Sequence, residues 1–135
     1  MSAFVISVPL PAPNRVYGVP VVQTTTLTGA VELTVISFDP TLYAASGRTI
    51  KFCCFLQTTA VAAQANLELY NNTDVATVST LTSTATASPE YKEVTLTVPA
   101  NLPNSAKVYA VRLFRSGGDV TDVVSVHNAY LQVSY

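Results

Sequence analysis

The sequence is poor in charged residues. Asp, Glu, Lys and Arg make up 11% of the 135 residues, and seven basic against eight acidic residues leave a formal charge of −1. A typical soluble domain carries about 25% charged residues, and a protein that binds nucleic acid needs a clustered excess of Lys and Arg. Disorder requires low hydrophobicity, whereas this chain is 49% hydrophobic. The composition predicts one folded domain that does not bind nucleic acid.

Residues that carry out chemistry are equally scarce. His127 is the single histidine, and Ser125 with Asp119 or Asp122 completes only a loose catalytic group without a G-x-S-x-G elbow. The same two aspartates supply too few oxygens for a calcium cage, and the sequence has no glycine-rich phosphate loop. We therefore expect no catalytic residue, no metal ligand and no cofactor. A glycosidase fragment that uses His127 is the enzyme alternative.

The two cysteines, Cys53 and Cys54, are adjacent in a segment that alternates like a strand. Neighbouring side chains of a strand point to opposite faces, so one thiol is expected in the core and the other on the outer face. A disulfide between adjacent residues requires strained geometry, and no second cysteine pair supplies further metal ligands. The sequence predicts two reduced packing residues rather than a redox switch.

Targeting signals are missing from the sequence as well. No apolar run is long enough to span a membrane as a helix. The first basic residue is Arg15, and Pro9, Pro11 and Pro13 interrupt the short apolar stretch before it. A secretory signal needs early basic residues followed by an unbroken apolar segment. We expect neither a membrane anchor nor a secretory signal.

What the sequence does contain is repeated alternation of apolar and polar residues, the period of a half-buried strand. The apolar positions of these segments are Val31, Leu33 and Val35; Ile50, Phe52, Cys54 and Leu56; Leu67 and Leu69; Val94, Leu96 and Val98; Tyr109, Val111 and Leu113; and Leu131, Val133 and Tyr135. Turns rich in Pro, Gly, Asn and Asp separate them. About eight strands of this kind predict an all-β antiparallel β-sandwich over residues 29–135. Residues 58–64 fit a short helix, a loop or a bulged strand.

The first 28 residues have a different character. The stretch from Val8 to Pro13 alternates with proline, which favours an extended course and cannot pair as a central strand. We interpret residues 1–28 as an extended N-terminal arm or edge strand. Two alternatives stay open: the segment packs on its own domain, or it reaches a neighbouring subunit.

Several large side chains fall on the side of their strands opposite the main apolar phase. Such residues are expected at the solvent face of a two-layer sandwich, where exposed apolar patches usually mark contacts with partners. The candidate contact residues are Ile36, Phe38, Phe55 and Phe114, together with Val8 and Leu10 of the arm. Tyr70 and Tyr130 also fall on outward phases.

The second half of the chain resembles a known kind of domain. Residues 64–87 (QANLELYNNTDVATVSTLTSTATA) and the segment Glu93–Val98 are similar to a jelly-roll domain of bacteriophage structural proteins. The resemblance continues through Lys107–Leu113 (KVYAVRL) and Asn128–Val133 (NAYLQV), so it covers residues 64–135. It implies that the sandwich is a jelly roll. Similar sandwiches serve as head-decoration or cement proteins, tail-fibre knobs and carbohydrate-binding modules.

The leading hypothesis is a non-enzymatic virion protein that decorates or cements a phage head as a symmetric oligomer. The resemblance implies the major capsid protein as partner, a homotrimer as oligomer, and assembly in the host cytoplasm before release in the virion. The alternative is a tail-fibre or tail-tip module that binds a receptor or glycan. Its candidate contact residues are Tyr70, Asn71, Asn72 and Tyr130.

Overall fold

A computed structural model describes Val19 and residues 21–135, and it describes the backbone of Asn14–Arg15. Nine strands run through these residues: β1 (Asn14–Arg15), β2 (Gln23–Thr25), β3 (Val31–Phe38), β4 (Thr49–Thr58), β5 (Ala63–Asn71), β6 (Ala76–Ser83), β7 (Glu90–Leu96), β8 (Lys107–Gly117) and β9 (Val124–Ser134). One short 3-10 helix, Pro40–Leu42, lies between β3 and β4. The sequence left a helix, a loop or a bulged strand possible for residues 58–64. In the described part of the chain these residues contain no helix, and a turn joins the end of β4 to the start of β5.

The strands form two antiparallel sheets. The first has the order β1-β9-β4-β7, with β2 pairing farther along β9, and the second has the order β3-β8-β5-β6. β1 and β2 share one strand position because they pair with opposite halves of β9. The resulting two sheets of four positions have the strand order of a jelly roll, which is built from two Greek keys. The prediction of an all-β antiparallel sandwich is confirmed.

The described part of the N-terminal segment forms an edge of its own domain. Asn14 pairs with Val133, and Gln23 pairs with Val126. Between these two strands, the Val19 amide donates to the Ala129 carbonyl at 2.8 Å. Val8 and Leu10 lie outside the described residues, so their contacts and the arm's reach to a neighbour stay predictions. The domain boundary at residue 28 also stays a prediction.

The inward faces of the long strands build the core between the sheets. Unbroken alternation in β4 places Ile50, Phe52, Cys54 and Leu56 inside, as predicted, and none of them is more than 2% exposed. β5, β8 and β9 supply the rest of the centre through Leu67, Leu69, Tyr109, Val111, Leu113, Leu131 and Val133. Each fully buried side chain of this size contributes about 1.5–3 kcal/mol.

Polar side chains fix the connections at both ends of the sandwich. The Asn71 amide closes the β5–β6 turn: its Nδ2 donates to Asp74 Oδ2 at 3.0 Å, and its Oδ1 accepts from the Asp74 amide at 2.9 Å. At the other end, Arg115 is buried, and its Nε donates to the Thr26 carbonyl at 3.0 Å. The Arg115 amide donates to the Leu27 carbonyl at 2.8 Å, so this residue ties the β2–β3 loop to β8.

The predicted outward positions of Ile36 and Phe38 are wrong. The pairing of β3 with β8 shifts between Glu32 and Thr34, which is a β-bulge. One extra residue reverses the faces of everything that follows in a strand. Ile36 and Phe38 are therefore core residues, 6% and 2% exposed, and neither is available as a contact residue. Val35, predicted to point inward, is instead 46% exposed.

The reversed phase of β3 has a direct test in stability. Ile36→Ala should lower the free energy of unfolding by about 2–4 kcal/mol, because it leaves a cavity in the core. Val35→Ala, the matched change one residue earlier, should cost less than about 0.5 kcal/mol. Urea unfolding of both variants measures the two values. The opposite ranking would contradict the bulge.

Candidate contact surfaces

The structure does not bring the predicted contact residues together. Phe55 lies half-buried on the outer face of the first sheet, beside Tyr91 with ring centroids 5.1 Å apart. Phe114 lies half-buried on the outer face of the second sheet, where it pairs with Asn66 of β5. Since Ile36 and Phe38 are buried, Phe55 and Phe114 remain on opposite sides of the sandwich. They do not form one patch.

The predicted glycan contacts are also divided. Tyr70 is on the outer face of the second sheet and Tyr130 on that of the first, because they belong to β5 and β9. Asn71 is buried, and its amide is engaged in the turn described above. Asn72 is exposed at the same turn. These four residues therefore do not line a common site.

An ion pair lies at the centre of the outer face of the second sheet. Glu68 Oε1 accepts from Arg112 Nε at 2.9 Å and lies 2.7 Å from Arg112 Nη2. The Thr77 hydroxyl donates to the other oxygen of the same carboxylate. The guanidinium carbon of Arg112 lies 3.8 Å from the centroid of the Tyr70 ring, a cation–π contact. The group joins β5, β6 and β8, and Glu68 is nearly buried with its charge paired.

A second polar network continues on the same face around Asn66, which is buried. Its Nδ2 donates to Ser116 Oγ at 2.9 Å, and its Oδ1 accepts from Thr82 Oγ1 at 2.8 Å. The Ser116 hydroxyl donates in turn to Gln64 Oε1 at 3.0 Å. Because these groups satisfy one another, this face stabilises the sheet, and a ligand here would have to replace hydrogen bonds already made.

Cys53 lies on the outer face of the first sheet but is completely buried there. As predicted, the two thiols point to opposite faces and neither forms a disulfide: Cys54 belongs to the core, and Cys53 lies on the outer side. Tyr91 closes over Cys53, and its hydroxyl donates to Glu93 Oε1 at 2.9 Å. Desolvation, then hydrogen bonds to Cys53 and Glu93, raises the pKa of Tyr91 above its usual value. Burial, aided by Cys53, raises the pKa of Cys54 from 9.0 to about 12.

Four loops meet at one end of the sandwich, which we call the four-loop end: residues 26–30, 59–62, 84–89 and 118–123. Their backbones are bonded to the strands and to each other, for example through Thr59, whose amide donates to the Val123 carbonyl at 3.0 Å. Three loops each present an apolar side chain to solvent: Leu27, Val61 and Val120 are 58%, 74% and 78% exposed. Asp119 and Asp122 are the only charged residues in these loops.

The opposite end carries an apolar side chain on an unfavourable backbone. Val75 is the last residue of the β5–β6 turn; it has φ 55° and is 73% exposed. A left-handed conformation is uncommon for any residue other than glycine and is a clear outlier for a β-branched one. Neither its conformation nor its exposure benefits an isolated chain. Strain retained in this way is an indication of function.

Other features of the described chain can be stated briefly. The residues that the structure describes bring together no group of three His, Cys, Asp or Glu side chains able to hold a metal ion. They include no helix long and apolar enough to cross a membrane. His127 Nε2 is buried and accepts or donates no hydrogen bond within this part of the chain.

Comparisons with protein-family models, with curated proteins and with solved structures found no match. The candidate surfaces therefore rest on this chain's own geometry. Alternation in the sequence did not reveal Leu27, Val61, Val75 or Val120, because they lie in loops. The feature of the sequence that could have identified these residues is an isolated branched apolar residue within a short polar or alanine-rich turn.

The raised pKa of Cys54 predicts a loss of stability in alkali. The folded protein holds the thiol proton more tightly than the unfolded chain, so this contribution is complete below pH 9 and is lost as the pH rises toward 12. The free energy of unfolding should fall by up to about 1.4 kcal/mol per pH unit above about pH 9. Urea unfolding between about pH 8 and pH 10 measures it. Cys54→Ala should flatten the dependence; an unchanged slope would contradict this cause.

The strained backbone of Val75 predicts a stabilising substitution. Val75→Gly should raise the free energy of unfolding by about 1 kcal/mol, because glycine adopts positive φ without steric cost. Val75→Ala keeps a Cβ atom and should recover less. Thermal or urea unfolding of the three proteins checks the order. A glycine variant less stable than the natural protein would contradict the conformation.

Proposed function

We propose that this protein is a non-enzymatic structural component of a phage virion that decorates or cements the head shell as a symmetric oligomer. Its partners in this role are the major capsid protein and other copies of itself, with three copies as the expected oligomer. It would assemble in the host cytoplasm and remain in the virion. The fold supports this because jelly rolls are used in viral capsids, although they also form lectin domains.

The observation that carries the proposal is the four-loop end. Three of its four loops expose Leu27, Val61 or Val120. Burying these apolar side chains against a partner would be favourable, because it removes their surface from water. A cluster of exposed apolar side chains with few charges is typical of contact surfaces. Asp122 Oδ2 accepts from the Asp119 amide at 2.7 Å, so one of the two carboxylates there is engaged within its own loop. We assign this end to the shell.

The small number of charges supports the same proposal. Fifteen charged residues occur in the chain, and four ion pairs among the described residues use eight of them. Arg48 Nη1 donates to the Pro40 carbonyl at 2.8 Å, and Arg115 donates to backbone carbonyls as well. With a net charge of −1, little mutual repulsion is left to keep a small protein dispersed. Such a surface favours association.

Shell binding gives the decisive measurement. The purified protein should scatter light with three times the mass of one chain, and it should sediment with undecorated shells assembled from the capsid protein of the same genome. Replacing Val61 and Val120 by serine should weaken shell binding by about tenfold or more, because two apolar contacts are lost. Self-association and unfolding should be unchanged.

Leu42→Ser is the matched control, since Leu42, the last residue of the 3-10 helix, is as exposed as Val61 and lies outside the four-loop end. It should leave shell binding unaltered. A protein that stays monomeric and never sediments with shells would refute the proposal. If Leu42→Ser weakened shell binding as much as the changes at Val61 and Val120, the assignment of the four-loop end to the shell would be refuted.

A further inference from the structure

The core is incompletely covered along the side of the sandwich formed by β6 and β7. Val78 of β6, Val94 of β7 and Val98 just beyond β7 pack against the core but remain partly exposed. β6 and β7 belong to different sheets and contact each other across this side. Within residues 21–135, no strand pairs with the other side of β7. β7 therefore offers an open row of backbone donors and acceptors beside incompletely buried apolar residues.

A cavity adjoins the end of this open strand. It has a volume of about 380 Å³ and lies where β4 begins and β7 ends. Its lining combines apolar Ile50, Leu96 and Val98 with the threonines at 49, 95 and 97 and with Ala45 and Arg48. Arg48 donates to the Pro40 and Tyr43 carbonyls at 2.8 and 3.2 Å, so its charge is already engaged. An extended chain laid along β7 would end at this cavity.

The chain contains a segment whose chemistry matches this edge. Residues 1–13 contain no charged side chain, and Phe4, Ile6, Val8 and Leu10 alternate along them. The charges of β7 are already paired, through Lys92 Nζ and Glu90 Oε2 at 3.1 Å and through Lys51 Nζ and Glu93 Oε2 at 2.9 Å. An uncharged strand therefore meets no unpaired charge there, and it can place alternate apolar side chains over the gap between the sheets.

The distance from Asn14, where residues 1–13 join the described chain, to the edge of β7 decides whether the segment can reach that edge. Asn14 pairs with Val133, which pairs with Ile50, which pairs with Leu96. Asn14 and the end of β7 thus lie in one row at opposite edges of the sheet, three strand spacings or about 14 Å apart. Thirteen extended residues reach up to about 43 Å, so the distance does not limit the segment.

We propose that residues 3–8 of one copy add as a strand to the open edge of β7 in a second copy, with one apolar side chain in the adjoining cavity. Pro9, Pro11 and Pro13 favour this over return to the same chain. They fix φ and remove amide donors, so the sequence next to Asn14 favours an extended spacer of about 15 Å over a turn. The inference rests on the self-association in the proposed function and names its contact. Strand addition with a side-chain pocket is an established mode of recognition.

Complementary variants of the full chain test the exchange. Ile6→Asp should disable the added strand, and Val94→Lys should disable the receiving edge by placing a charge in the gap. Each alone should weaken self-association by about tenfold or more in light scattering. Mixed together, they should form a one-to-one complex and no larger oligomer, because the intact segment of the Val94→Lys chain can bind the intact edge of the Ile6→Asp chain while the other segment and the other edge stay disabled. Ser37→Lys, on the exposed edge strand β3, is the control and should associate normally.

Hydrogen exchange keeps the test valid if Val94→Lys fails to fold. The β7 amides that point away from β4 should be protected in the natural protein to the extent that it is oligomeric, and Ile6→Asp should expose them, while the β7 amides bonded to β4 and the other strands remain protected. Association that survives both substitutions would overturn the inference and leave the proposed function standing. A monomer whose open-side β7 amides are protected until Ile6 is changed would place the segment on its own chain and overturn the exchange. A monomer that does not bind shells would refute both proposals.

Discussion

The face-to-face burial of the two sheets is the constraint on which the rest of the structure depends. Inward residues of β4 and β9 must meet those of β5 and β8, and this decides which side of every strand is left for other uses. The centre of the second sheet's outer face is then filled by groups that satisfy each other, such as Glu68 with Arg112 and Asn66 with Ser116. That face is thereby committed to stability. The edges and the loop ends are the better places for partners.

Prediction from sequence succeeded where alternation runs unbroken. In β4 each apolar residue from Ile50 to Leu56 followed the expected phase, since burial on one face demands a period of two. It failed in β3, where Phe38 turned inward after a bulge. A bulge is a property of two paired strands, because it places two residues opposite one. The sequence of a single strand cannot reveal it.

The candidate sites show a second limit of the same reasoning. Alternation separates inside from outside but does not state to which sheet a strand belongs. Tyr70 and Tyr130 were both correctly expected on outward phases, yet long-range pairing puts them on opposite sides of the molecule. Alternation does not identify Val61 and Val120 for another reason: residues in loops follow no period. Their importance appears only when folding brings their loops to one end.

The edge of β7 that no described strand covers also limits what can pair with it. Edge strands commonly carry charged residues that discourage indiscriminate pairing, and β7 has Glu90, Lys92 and Glu93. Two β7 edges brought together would juxtapose two segments of net negative charge, which disfavours a simple edge-to-edge dimer. An uncharged, apolar strand meets no such repulsion. The charges of β7 therefore disfavour a second β7 edge as partner and are compatible with an uncharged strand such as the proposed one from residues 1–13.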